Sequence, residues 1–261
     1  MRGCEVFSPC MRPMNLKLSP LSIPGLLALI FFTVARPAMA VRPFVTDDAR
    51  VVGYHVGQLE SSVKADKNVV ANLNLFAFGP TENLELTMGW VDGFPHGRGD
   101  SRVFSLQGPL MQAKYLFFAA KPNATPGLAA VVGGFPPWGS NTFKPDTARE
   151  FAYIAMTESL GDQDRVLIHG NLGFTTSNPH AVATWGLGTQ VRVTGGWNAI
   201  FEVFQNDPYA GDIGGAFQTG FRYIFNDNLQ FDMTGGTGLW GEPRPSAYYG
   251  MGIRIVTDRL W

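Results

Sequence analysis

The last third of the chain is written in a period of two. From Ala216, alternate residues place Phe217, Thr219, Phe221, Tyr223 and Phe225 on one face and Ala216, Gln218, Gly220, Arg222 and Ile224 on the other. After the turn Asn226-Asp227-Asn228, Leu229, Phe231 and Met233 alternate with Gln230, Asp232 and Thr234. Tyr249, Met251, Ile253 and Ile255 then alternate with Tyr248, Gly250, Gly252 and Arg254. This period is that of an extended strand. A soluble sheet buries its apolar face and wets its polar one. Here the apolar face is bulky and aromatic, and the opposite face is narrow, Gly-rich and charged. That suits a wall with lipid outside and a polar lumen inside.

The same pattern runs through most of the chain. Strands are expected over Val56–Val63, Val69–Phe78, Leu84–Trp90, Met111–Phe117, Leu128–Gly133, Phe151–Glu158, Val166–Phe174, Ala181–Val193 and Trp197–Val203, before the three just described. In Val69–Phe78, Val69, Ala71, Leu73 and Leu75 stand against Asn72 and Asn74. In Phe151–Glu158, Phe151, Tyr153 and Ala155 stand against Ile154, Met156 and Glu158. In both, the more apolar set is expected to face lipid. Connections near residues 80, 123, 162, 195 and 227 are short, and those near 98, 142, 208 and 242 are long. Twelve strands with short turns at one end and long loops at the other predict an all-β fold, a transmembrane up-and-down antiparallel β-barrel over 56–261. Thr194-Gly195-Gly196 is a strong hairpin signal.

Composition agrees. Charged residues are 16% of the 261, against about 25% in an ordinary globular protein, with 13% aromatic residues and 31 Gly. No apolar run approaches the roughly 18 residues of a transmembrane helix. The longest, Ile23 to Val34, follows Lys17 and leads to Ala38-Met39-Ala40, the layout of a Sec signal peptide over 1–40 cleaved after Ala40. Met14 is an alternative start. Both cysteines, Cys4 and Cys10, fall in that segment, so the mature chain would carry no disulfide or thiolate metal site. It would hold 16 Lys+Arg against 20 Asp+Glu, a net charge of −4, which argues against nucleic acid as a partner.

Projected inward, charged side chains recur around the wall: Glu60, Glu85, Lys114, Glu158, His169, Arg192, Glu202, Arg222, Asp232 and Arg254. Opposite signs fall on neighbouring strands. Arg192 faces the strand of Glu202, Arg222 that of Asp232, and Arg254 on the last strand faces Glu60 on the first. Such a lining pairs charges because a single buried charge is costly, and it also sorts solutes by charge and size. The histidines His55, His96, His169 and His180 have no serine two residues on, so no His-Ser pair shares a strand face. No phosphate loop, zinc spacing or calcium loop is present, and neither cofactor nor metal is expected.

The segment after the signal reads Val41-Arg42-Pro43-Phe44-Val45-Thr46-Asp47-Asp48-Ala49-Arg50, followed by Gly57-Gln58-Leu59-Glu60. An R-P-x-x-T-D-D-A opening before a G-Q-x-E strand resembles the outer-membrane β-barrel transporter-like family called MetA-pathway of phenol degradation. The resemblance implies a bacterial outer-membrane barrel that helps small, often aromatic or hydrophobic, molecules cross, and it supplies no catalytic residues. The matched Arg42, Pro43, Thr46, Asp47 and Asp48, in a periplasmic segment over 41–55, would cap or plug the periplasmic end. The tail Val256 to Trp261 departs from a usual closing strand in being polar and ending in Trp. The expectation is a passive, selective channel or transporter whose partners are outer-membrane lipid, the barrel-assembly machinery acting on the C-terminal strand, and a small-molecule solute. The rivals are a structural or adhesion barrel with a closed lumen and, behind it, a lipid-active enzyme.

Overall fold

A computed structural model describes residues 44–96, 102–177, 180–210, 214–241 and 246–260. The expected signal peptide, Met14, Arg42, Pro43 and Trp261 lie outside the described residues. The strands in chain order are β1 (Gly57–Asp66), β2 (Val69–Phe78), β3 (Leu84–Pro95), β4 (Ser105–Phe118), β5 (Gly127–Phe135), β6 (Gly139–Ser140), β7 (Arg149–Leu160), β8 (Val166–Ser177), β9 (His180–Thr194), β10 (Trp197–Gln205), β11 (Gly215–Asn226), β12 (Leu229–Trp240) and β13 (Tyr248–Val256). The two-residue β6 pairs only with β4 and stands outside the ring. The other twelve pair antiparallel with their neighbours, β5 joining β7 directly. β1 pairs with β13 through Leu59↔Ile255 and Glu60↔Arg254, closing the barrel. Closure leaves no open sheet edge, which a bilayer would not tolerate.

Turn chemistry sets the hairpins. Gly195 takes φ +50, a left-handed conformation a residue without a Cβ adopts cheaply. At the opposite end the alternation of short and long connections is incomplete. The β1–β2 and β8–β9 connections are as tight as those of the short-turn end, since β2 begins at Val69 after Asp66 and β9 at His180 after Ser177.

The outer surface carries the large apolar side chains: Met88, Met111, Phe117, Leu172, Leu187, Phe201, Phe221, Met233 and Met251 are all exposed. That exterior belongs in hydrocarbon. Two strands reverse the expected orientation. In β2, Leu75 and Ala77 are buried inside while Phe76 is exposed, so the Val69–Leu75 set faces the lumen and Asn72 and Asn74 face outward. In β7, Phe151, Tyr153 and Ala155 are buried inside and Ile154 and Met156 are exposed. The lumen is therefore not uniformly polar. Leu75, Leu110, Val131, Phe135, Phe151, Tyr153, Ala155 and Tyr209 form a continuous apolar cluster within it. The outward amides of β2 satisfy one another through Ser61 and Asp92: Ser61 Oγ donates to Asn74 Oδ1 (2.8 Å), and Asn74 Nδ2 and Trp90 Nε1 donate to Asp92 Oδ1 (3.0 and 2.9 Å). In β4 an extra residue at Gly108–Pro109 slips the register against β3 between Gly89 and Val91, so Gln107 and Leu110 both point inward.

Candidate functional site

The lumen is filled by the chain's own residues 44–52. Phe44, Thr46, Asp48, Ala49 and Val52 are each at most 1% exposed. The segment passes through the barrel interior with bends and forms no strand. Its backbone groups depend on side chains, because a buried N–H left unpaired is costly: Asp48 N donates to Asp47 Oδ1 (2.9 Å) and Arg50 N to Asp48 Oδ1 (3.2 Å) within the segment, and the wall takes others. Glu202 of β10 takes the first two: Val45 N donates to Oε2 (3.1 Å) and Thr46 N to Oε1. Ala49 N donates to Thr157 Oγ1 of β7 (2.8 Å), and Val52 N donates to Glu85 Oε2 of β3 (2.9 Å). Thr46, Asp47 and Asp48 of the expected capping or plugging motif thus lie inside the barrel.

Lys114 of β4 holds the acidic turn of this segment. Its Nζ donates to Asp47 Oδ1 (2.8 Å) and to the Arg50 carbonyl (3.1 Å), and stands 3.8 Å from Asp48 Oδ1. Tyr153 OH donates to Asp47 Oδ2 (3.2 Å). Arg50 reaches Asp164 of the β7–β8 turn (2.9 Å). Burial pushes the Asp48 carboxyl up to about 7 against the pull of Lys114 and Arg50. Phe44 packs edge-on to His169 at 5.5 Å between centroids, with the Arg222 guanidinium 5.8 Å above its ring.

The wall is carved to admit this segment. Gly186 and Gly188 face inward on β9. A Cβ at Gly186 would stand 2.1 Å from Thr46 Oγ1, and one at Gly188 would stand 3.1 Å from the Phe44 ring. From above, Tyr209 of the β10–β11 connection turns inward, its hydroxyl donating to Gln112 Oε1 (2.6 Å) and lying 3.3 Å from that of Tyr153. These residues were not singled out from sequence. A signal was available in the run of inward glycines on β9, which leaves a hollow that something must fill.

Of the residues expected to line the lumen, Glu60, Glu85, Lys114, His169, Glu202, Arg222, Asp232 and Arg254 are inward and buried. Arg222 Nε donates to Asp232 Oδ1 at 2.8 Å, and its Nη1 to Gln190 Oε1 at 2.6 Å. Arg254 stands opposite Glu60 in register, but Gln58 lies between them: Arg254 Nε donates to Gln58 Oε1 (2.8 Å), whose Nε2 donates to Glu60 Oε1 (2.9 Å). Arg192 faces the strand of Glu202, as expected, with Asn198 as its cross-strand partner, and at the short-turn end it donates to Gln163 (3.3 Å). One placement is corrected. Glu158 shares the outer face of β7 with Met156, because the inner face there is taken by Tyr153, Ala155 and Thr157. His169 Nδ1 contacts Thr157 Oγ1 at 3.0 Å, in a pocket closed by Phe44.

The Arg222–Asp232 pair sets one stability expectation. Asp232→Leu takes the carboxylate partner from a fully buried guanidinium and should cost about 3–5 kcal/mol. The double change Arg222→Met with Asp232→Leu should recover most of that loss. Urea midpoints of the refolded protein in lipid vesicles measure both, and a single variant as stable as the parent would refute the pairing energetics.

The model of the family described as Uncharacterised conserved protein UCP029691 matches residues 28–255. The chain belongs to that family. The description differs from the phenol-degradation family suggested by the N-terminal motif, and it assigns the UCP029691 family no activity. No curated protein matches the chain. Solved structures similar to this member include the COG4313 outer membrane channel from Pseudomonas putida F1, with 13% identity, TM-score 0.55, and coverage of 77% of this chain and 94% of that one. The KdgM porin in complex with disordered oligogalacturonate is similar at 9% identity and TM-score 0.55, covering 77% and 99%. The NanC porin follows at 7% identity and TM-score 0.50, covering 78% and 100%. At these identities the likeness is one of fold: a closed outer-membrane-type barrel.

Proposed function

We propose that this protein is a non-enzymatic outer-membrane channel for small apolar or aromatic molecules, closed at rest by residues 44–52. The observation that carries it is the combination of a segment held in the lumen by wall side chains with inward apolar walls on β2 and β7. Leu73, Leu75, Phe151 and Tyr153 face the lumen, and an apolar or aromatic solute gains by contact with them where a bare ion does not. The segment is bound through side-chain acceptors and one lysine rather than by strand pairing, so it can leave without breaking the barrel. Nothing in the site couples to a nucleotide, and the solute's own gradient would drive passage. The outer-membrane siting, reached through the signal peptide and the assembly machinery acting on β13, belongs to the same proposal and is supported by the barrel fold and its apolar exterior.

The test is single-channel recording of refolded Val41–Trp261 in planar bilayers beside a chain lacking 44–52, with neutral phenols and small aromatic acids in the bath. The parent should conduct little, and the shortened chain should show discrete openings that an aromatic solute blocks. A folded, heat-modifiable shortened barrel that never conducts would return the lumen to a sealed scaffold for the long loops.

A further inference from the structure

The outer wall carries a polar patch across β1, β2 and β3. Ser61 Oγ donates to Asn74 Oδ1 (2.8 Å) and lies 3.3 Å from Asn72 Oδ1. Asn74 Nδ2 and Trp90 Nε1 donate to Asp92 Oδ1 (3.0 and 2.9 Å), while Asn72 Nδ2 reaches the same oxygen only at 3.5 Å. Apolar side chains bracket the patch along every strand. Exposed Leu59 and Val63 flank it on β1, Val70 and Phe76 on β2, and Met88 and Phe94 on β3. The patch therefore lies within the apolar belt, not beyond its rim.

In hydrocarbon no water supplies the bonds that a polar group lacks. The network is incomplete by itself. Asp92 Oδ2 accepts no hydrogen bond among the described residues, and each amide nitrogen has a second N–H beyond the one aimed at Asp92. A carboxyl and two amides left facing acyl chains are costly. A second protein surface that covers them removes that cost.

We propose that the β1–β3 face is the contact between two copies of this chain in the membrane, with Asn72 and Asn74 beside the two-fold axis. Three features favour a second copy. Two copies inserted the same way carry the patch at the same depth, where a different protein would match it only by coincidence. An Asn side chain both donates and accepts, so it pairs with its own counterpart across a two-fold. And β2 is the middle strand of the patch. A two-fold beside it turns β1 of each copy toward β3 of the other, which sets Asp92 against the strand of Ser61 and keeps the two carboxyls apart. The inference needs a barrel in a bilayer and is independent of what the lumen conducts.

Cysteine crosslinking tests it. Phe76→Cys puts a thiol beside the patch, and Leu187→Cys puts one on β9, at the far side of the ring. Val41–Trp261 has no other cysteine. Each variant is refolded into phosphatidylcholine vesicles at low protein-to-lipid ratio and oxidised with copper phenanthroline. Phe76→Cys should give a dimer band on a non-reducing gel, and Leu187→Cys should stay monomeric. Adding Asn72→Leu, Asn74→Leu and Asp92→Leu should reduce the first to the level of the second. The heat-modifiable band should survive, because the replaced face is then wholly apolar. Sedimentation in mild detergent gives a check free of crosslinks: the parent should run as a dimer and the triple variant as a monomer. Equal dimer bands from both cysteines would mean random collision, and a dimer that survives the triple change would mean contact through another face. A monomeric parent would leave the patch to a lipid headgroup or to another membrane protein. Each of these three results overturns the proposal.

Discussion

Gly186→Val should open the lumen of an otherwise intact barrel. Gly186 lies on β9, paired through Gly186↔Phe204 and Asn171↔Gly186, with the ladder regular on both sides of it from Arg192 to Trp185. Valine is a good strand residue, so the wall itself has no reason to resist it. The obstacle is Thr46, whose Oγ1 would lie 2.1 Å from the new Cβ and whose own Cβ would lie 3.1 Å away. Overpacking of that kind costs about 1–3 kcal/mol. The barrel cannot relax around twelve closed strands as readily as the segment can lift away. Conductance should therefore rise to that of the chain lacking 44–52, with the heat-modifiable band unchanged. Gly170→Ala offers a control on β8, because a Cβ there has nothing nearer than 4.0 Å. A Gly186→Val barrel as closed as the parent would mean that residues 44–52 do not control the path.

Lys114→Met should have the second large effect, and on the segment more than on the wall. Lys114 is 2% exposed, and the carboxylates of Asp47 and Asp48 are both within 4.0 Å of its Nζ. Glu85 stands directly opposite it in the β3–β4 register. Removing the cation leaves three acids facing one another in a buried site, at a cost of about 3–5 kcal/mol. Release of residues 44–52 is the cheapest relief, since it carries two of the three acids to water. The cysteine-free chain Val41–Trp261 gives a direct readout with Thr46→Cys, a buried position of similar shape. Maleimide should label that cysteine slowly in the parent background and promptly beside Lys114→Met. Equal labelling rates would show that Lys114 serves the wall alone.

Both expectations turn on a feature only partly legible in the chain. The strands of the C-terminal half were readable because each has one mostly apolar face, as in Trp197, Ala199, Phe201 and Val203 against Asn198 and Glu202. The closure of β13 on β1 was readable from Arg254 and Glu60. β2 and β7 were readable as strands but not in their orientation, because both of their faces are apolar enough to meet lipid. Phe151 and Tyr153 look outward-facing by composition, yet they pack against Phe135 and Tyr209 inside. Glu158 was misplaced for the same reason.

What the sequence by itself determined is the number of strands, the order of the hairpins and the polarity of most faces, because a period of two and the turn residues act locally. What only the tertiary structure decided is where residues 44–52 go. A segment that forms no strand is bound by acceptors on β3, β7 and β10, and those strands meet around it only once the barrel has closed. The same is true of the cavity of about 370 Å³ above it. Its apolar wall on β2 and the Gln218, Thr234 and Tyr248 side chains of β11–β13 come from distant parts of the chain, and no local pattern records that they share a space.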